Sequence, residues 1–147
     1  MAYKFSLATV LRFRMIREER EERMLQEILQ KITQTLQTIA EIDAGIARMH
    51  AARAEEFSKP TTGKKIQTAY ADVSALQQSR KELDEQLEKL EQLKDKQMVV
   101  YTDARRDREM LTEMHNRQHE TYALDLVRRE QMMLDDSYMA RNRHIRA

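Results

Sequence analysis

The chain has no cysteine and no tryptophan, one proline, two glycines and three phenylalanines among its 147 residues. The lack of cysteine excludes disulfides and thiolate-bound metals. So few aromatics, set against 35% charged residues, leave too little apolar bulk for a wide globular core. One proline and two glycines offer little to interrupt a helix. Neither sign of charge dominates: 26 basic and 25 acidic side chains leave a net charge of +1. A dedicated nucleic-acid binder would be clearly basic, so no nucleic acid is expected as a partner. The longest uncharged stretch, Ile32 to Ala40, still contains Thr and Gln and is too short to span a membrane. The apolar run near the start is shorter than a signal-peptide core. A soluble cytoplasmic protein is the expectation.

What is present in quantity is Glu, Gln, Arg, Lys, Leu, Met and Ala, all good helix formers. The one strong break is Phe57-Ser58-Lys59-Pro60-Thr61-Thr62-Gly63. Proline removes a backbone donor there and pushes Lys59 out of the helical region, and Gly63 adds backbone freedom. Upstream, Leu25, Ile28, Ile32, Thr35, Ile39, Ile42, Ile46 and Met49 alternate by three and four. Downstream, Ile66, Ala69, Val73, Leu76, Arg80, Leu83, Leu87 and Leu90 do the same. That rhythm is a coiled-coil seam, whereas a strand would show a period of two. The chain is therefore expected to be all-α. Two long helices form an antiparallel coiled-coil hairpin, a single domain over residues 1–147. Ser6 is placed to cap, with Phe5 and Val10 as a hydrophobic staple. Helix 1 is expected over about 6–57, the turn over 58–63 and helix 2 over about 64–144. A short turn makes the helices antiparallel neighbours, with facing residue numbers summing to about 122. Helix 1 then runs out near residue 115, and roughly the last 30 residues of helix 2 overhang, about 45 Å of helix.

The apolar seam weakens away from the turn. Backward it meets Arg14, Glu18 and Glu21; forward it meets Lys94, Gln97, Arg108, His115 and Gln118. An end that packs weakly against itself is expected to be free for a partner. The charged run Arg17–Arg23 reads as a solvated helix laced by pairs four apart, or as a charged partner surface. In the overhang, Leu124, Val127, Leu134 and Tyr138 form a new stripe, widened by Met132, Met133 and Met139. Met suits adaptable surfaces, and this part has no partner within the chain. A helix laid in another protein's groove is the functional reading; loose filling or self-association is the plain one.

The signals for chemistry are weak. His115 and His119 stand four apart, a spacing that can hold a metal, but no Glu follows His115 in a zinc-protease pattern. Two exposed polar residues are the simpler account. Pro60-Thr61-Thr62-Gly63-Lys64-Lys65 lacks the first Gly and the Ser or Thr of a phosphate loop, and reads as a turn. No nucleophile–base arrangement exists, so no enzyme activity and no cofactor or metal are expected. The closing run Arg141, Asn142, Arg143, His144, Ile145 and Arg146 is basic. It suits a helix C-terminus or an acidic partner surface; an anionic membrane is a third option, for which three Arg are few.

Two short motifs resemble a known family. Phe5, Leu7, Val10, Leu11, Phe13 and Arg14, followed by Glu18 and Glu19, match the opening of the bacterial flagellar export family FliJ. Arg128-Arg129-Glu130-Gln131, Leu134-Asp135-Asp136, Arg141 and Arg143 match its close. The resemblance implies an antiparallel coiled coil similar to the central stalk of rotary ATP synthases. It implies three partners: a hexameric export ATPase, the cytoplasmic domain of the export-gate membrane protein, and export chaperones. Carried over, it assigns Phe5, Leu7, Val10, Leu11, Arg14, Leu134, Asp135, Arg141 and Arg143 to the ATPase ring, and Tyr138 of the apolar stripe is expected to join them. It assigns Tyr70, Val73 and Gln77 to the gate, although Val73 also falls in the seam. It implies a cytoplasmic location at the flagellar basal body, peripheral to the inner membrane through partners only, and a monomer when free. The stalk of virulence-type injectisomes is the near rival, and a structural coiled-coil tether or a small export chaperone the distant ones.

Overall fold

The computed structural model describes residues 4–146, apart from the side chain of Arg146; the last Arg of the expected basic tail lies outside that description. The described residues form two α-helices, α1 over Ala8–Glu56 and α2 over Gly63–Arg146, paired as an antiparallel hairpin. α2 begins one residue earlier than expected and runs two residues further. α1 begins at Ala8, two residues after the expected cap at Ser6. At the other end, the Phe57 amide still bonds the Arg53 carbonyl.

The turn is built by local hydrogen bonds. The Ser58 hydroxyl donates to the Glu55 carbonyl at 2.7 Å, satisfying one of the last acceptors of α1. The Thr62 carbonyl accepts from the Lys65 amide at 3.1 Å and opens α2. Gly63 has no positive φ, so the expected need for its backbone freedom does not arise; Pro60 and the capping bonds make the turn.

Both helices run through two compact units. One comprises Arg20–Tyr101 and contains the turn. Its core is the expected seam: Leu25, Ile39 and Val73 are buried, and the remaining seam positions are half-buried. Polar side chains fix the register there. Arg80 donates from Nε to Asp43 Oδ1 at 2.5 Å and from Nη1 to Asp84 Oδ2 at 3.1 Å. Arg53 donates to the Ala69 carbonyl. Gln97 donates to Glu21 Oε2 at 2.6 Å and to the Glu21 carbonyl at 3.1 Å.

The other unit comprises residues up to Glu19 and from Thr102 onward. Its seam is better packed than the sequence suggests. Ala104 and Leu111 are 1% and 5% exposed, and Phe5 is buried too. The Phe5 ring sits edge-on to His115 with centroids 4.9 Å apart, so the partner helix covers it, while Val10, its expected staple, is exposed. The polar seam positions pair with one another. Arg108 donates from Nε to Glu18 Oε2 at 2.6 Å and from Nη2 to Glu18 Oε1 at 3.1 Å. Arg14 donates to the Asp107 carbonyl at 2.8 Å, and Arg17 to the Asp107 carboxylate at 3.2 Å. In each unit the facing residue numbers sum to about 122, as antiparallel neighbours on a short turn require.

Candidate protein-docking surface

The register runs out in α2. His115 and Tyr122 are half-buried, and from Ala123 to Arg141 every residue is exposed. This is the expected overhang. A coiled-coil stripe normally lies against a second helix. Here Leu124, Val127, Leu134 and Tyr138 follow that spacing and are 58–70% exposed. Leu126, Met132, Met133 and Met139 are exposed too, on the other sides of the helix, about 100–140° round from the stripe. A helix apolar on several sides suits surroundings that enclose it. The charges around the stripe are mixed, with Asp135 and Arg141 both exposed. Arg143 is exposed as well.

The N-terminal residues assigned to the same partner fall into two groups. Phe5 is buried, and Leu7, Leu11 and Arg14 are half-buried in the seam. Val10 remains 41% exposed. Phe5 lies against His115, and Leu134 stands 19 residues further along α2, about 28 Å of helix. The two motifs therefore do not converge on one patch. They mark successive levels of one helical rod. Phe13, Ile16 and Met110 are exposed off the seam and belong with the open surface, though no seam rule selects them. Their signal was the apolar spacing Val10, Phe13, Ile16, three apart on one face of a helix.

Electrostatics at this end are set by the pair in the seam. The hydrogen bond from Arg108 holds the Glu18 carboxyl below its ordinary value of 4.5; partial burial opposes this, and the positive charges of Arg108 and Arg105 add to it. In the unit with the turn, the Asp43 carboxylate raises the Arg80 guanidinium above its ordinary value.

Of the three residues assigned to a gate, Tyr70 is 69% exposed and Gln77 is exposed, seven residues apart on one edge. Val73 is 6% exposed and packs in the seam, so the folded hairpin gives it nothing to present. Tyr70 instead borders a surface hollow of about 300 Å³ with His50, Arg53, Ala54, Phe57 and Ala69. Beside the turn, a hollow of about 640 Å³ is lined by Met49, Arg53, Thr62, Lys64 and Asp72 among others. It holds no nucleophile–base pair. The His115 and His119 rings are 6.3 Å apart, and among the described residues no group of three or more His, Cys, Asp or Glu could hold a metal. Among those residues, no helix is long and apolar enough to cross a membrane.

Residues 3–147 match the family model described as "Flagellar FliJ protein". No curated protein and no solved structure gives a match.

Proposed function

The chain belongs to the flagellar FliJ family, and on that footing we propose that it is the stalk of the hexameric export ATPase, with its overhanging helix seated in the ring. The family is a structural component of the flagellar protein export apparatus and not a family of enzymes. The observation that carries the stalk reading is the overhang: Ala123–Arg141 is helical, exposed throughout, and apolar along Leu124, Val127, Leu134 and Tyr138. Such a helix gains most by burying that stripe in a partner's groove. Fully burying one Leu or Val side chain contributes about 1.5–3 kcal/mol, so the stripe supplies enough for a specific contact.

Within this reading Tyr138 and Leu134 anchor the contact, and Asp135, Arg141 and Arg143 set its polar rim. Val10, Phe13 and Ile16 make a second contact nearer the hairpin body. Phe5, Leu7, Leu11 and Arg14 act through packing, holding α1 against residues 107–115 of α2. The export gate meets the edge that carries Tyr70 and Gln77, with Phe57 beside them. Export chaperones are the third class of partner. The protein works in the cytoplasm at the basal body, peripheral to the inner membrane through these partners, and is a monomer when free. The family match favours the flagellar system over the injectisome stalk.

Titration of the chain into the export ATPase, followed by ATP hydrolysis and ring assembly, tests the proposal. Stimulation lost on deleting residues 124–147 supports it. That deletion removes a segment exposed from end to end up to Arg141, so the hairpin keeps its fold. A stable homodimer with neither binding nor stimulation would make a coiled-coil tether the better account.

A further inference from the structure

Arg80, Gln97 and Arg108, long donors at seam positions of α2, share one solution. Arg80 meets the Asp43 carboxylate, Gln97 meets Glu21 Oε2 at 2.6 Å, and Arg108 meets the Glu18 carboxylate. In each case the carboxylate stands on α1, opposite the donor. The cause is general: an amide or guanidinium enclosed between helices keeps its hydrogen bonds only if the facing surface accepts them. Gln97 is the instructive case, because its side chain is uncharged and still draws a carboxylate.

Gln131 stands in the same kind of position on the overhang, beyond the reach of α1. It falls in the three-four rhythm of Leu124, Val127, Leu134 and Tyr138, which Ile145 extends. By helical geometry it lies about 30° from the centre line of that stripe, between Val127 and Leu134. In the free chain the side chain is exposed, so water satisfies its amide. A groove that buries the stripe buries Gln131 with it.

We propose that the groove which takes the overhang presents a carboxylate to Gln131, and that this pair fixes the register in which the helix seats. The proposal rests on the docking reading above. The apolar side chains of the stripe supply attraction but little register, since a slip by one heptad sets apolar groups against apolar groups again. The same slip moves Gln131 off its acceptor and leaves an amide and a charged carboxylate buried without partners. A single polar residue in an apolar coiled-coil seam sets register in this way, at some cost in stability. Gln131 is therefore a specificity residue. A groove that is apolar throughout, or that carries a base at this level, is rejected.

Docking of the full chain to the export ATPase, with Gln131 replaced by Leu, Lys or Glu, tests the proposal. All three form helix about as well as Gln, so the circular dichroism of the free chain should not change. Gln131→Leu adds apolar surface, yet it should dock roughly tenfold or more weakly, because it leaves the carboxylate buried and unpaired. Gln131→Glu should lose roughly tenfold or more through like charge. Gln131→Lys should keep the wild-type affinity and make it more sensitive to salt. A Gln131→Leu chain that docks as well as the wild type, or better, overturns the proposal: the groove is then apolar at this level, or Asp135, one turn along the same helix, takes the amide. Docking kept by Gln131→Glu, or lost by Gln131→Lys, overturns it too, since no carboxylate then faces the site. Loss of docking in Leu134→Asp, measured alongside, leaves the docking reading intact in each of these cases. A wild type that does not dock, or docking indifferent to Leu134→Asp, overturns the docking reading, and the proposal with it.

Discussion

The double mutation of Glu18 and Arg108 puts the packing of the open end to a quantitative test. Arg108 occupies a seam position and makes two charge-assisted hydrogen bonds to Glu18, at 2.6 and 3.1 Å. The two side chains are only 26% and 15% exposed. An exposed ion pair contributes about 0.2–1 kcal/mol, and a hydrogen bond to a charged group about 1.5–3. The intermediate burial places this bidentate pair at a coupling of about 1–2 kcal/mol. In a double-mutant cycle, Glu18→Gln and Arg108→Gln should each destabilise the hairpin, and the double variant should cost less than the two single changes added together. The charge swap Glu18→Arg with Arg108→Glu should recover most of the loss. Urea denaturation followed by circular dichroism reads the energies. The coupling should persist in part at 1 M salt, because a half-buried pair is screened less than a surface pair. A coupling under about 0.3 kcal/mol, within the scatter of additive sites, would refute the claim that charges hold this seam together.

Leu111→Ala should destabilise by about 2–4 kcal/mol, because Leu111 is 5% exposed, whereas Leu124→Ala in the overhang should cost under about 0.5; thermal melts separate the two. Gly45→Ala should stabilise by about 0.5–1 kcal/mol, raising the melting temperature a few degrees. The new Cβ meets nothing nearer than Arg48 Nη2 at 3.9 Å, and Gly45 has no positive φ. The lowered Glu18 carboxyl stabilises the fold fully above its ordinary value of 4.5, and that contribution is lost as pH falls through the lowered value. Glu18→Gln should flatten this part of the acid stability curve; a curve of unchanged shape would contradict it.

The hairpin was legible because two strong signals agree. Pro60 with its neighbours gives one break, and the seams on either side face each other once the chain folds there. The same arithmetic reaches the open end, where a reading of each helix alone misleads. Arg108 looks like a defect in α2 and Glu18 like a defect in α1. Side by side they complete each other, and polarity in one helix is evidence of polarity opposite, not of an open seam. Ala104 is legible only by geometry: a small side chain at a seam position lets the helices approach, and at 1% exposed it is buried more deeply than Leu111 or Val73. The overhang was legible from length, since α1 ends its reach near His115. The residues proposed to dock were legible in part. Leu134 and Tyr138 fall on a periodic stripe, but Phe13 and Ile16 lie outside any seam. Val73 shows why carrying residues over by motif needs the fold beside it: it is a seam position, and the folded hairpin buries it.

Amide hydrogen exchange on the chain, alone and with the export ATPase ring, tests the stalk reading most directly. Alone, residues 123–145 have no partner helix and should exchange fast, while residues 66–115 of α2 are protected by their packing. With the ring present, the account predicts that exchange slows across 123–145, most strongly around Leu134 and Tyr138, and stays unchanged near the turn. Slowing confined to the turn, or no slowing anywhere on a ring that assembles normally, would contradict it.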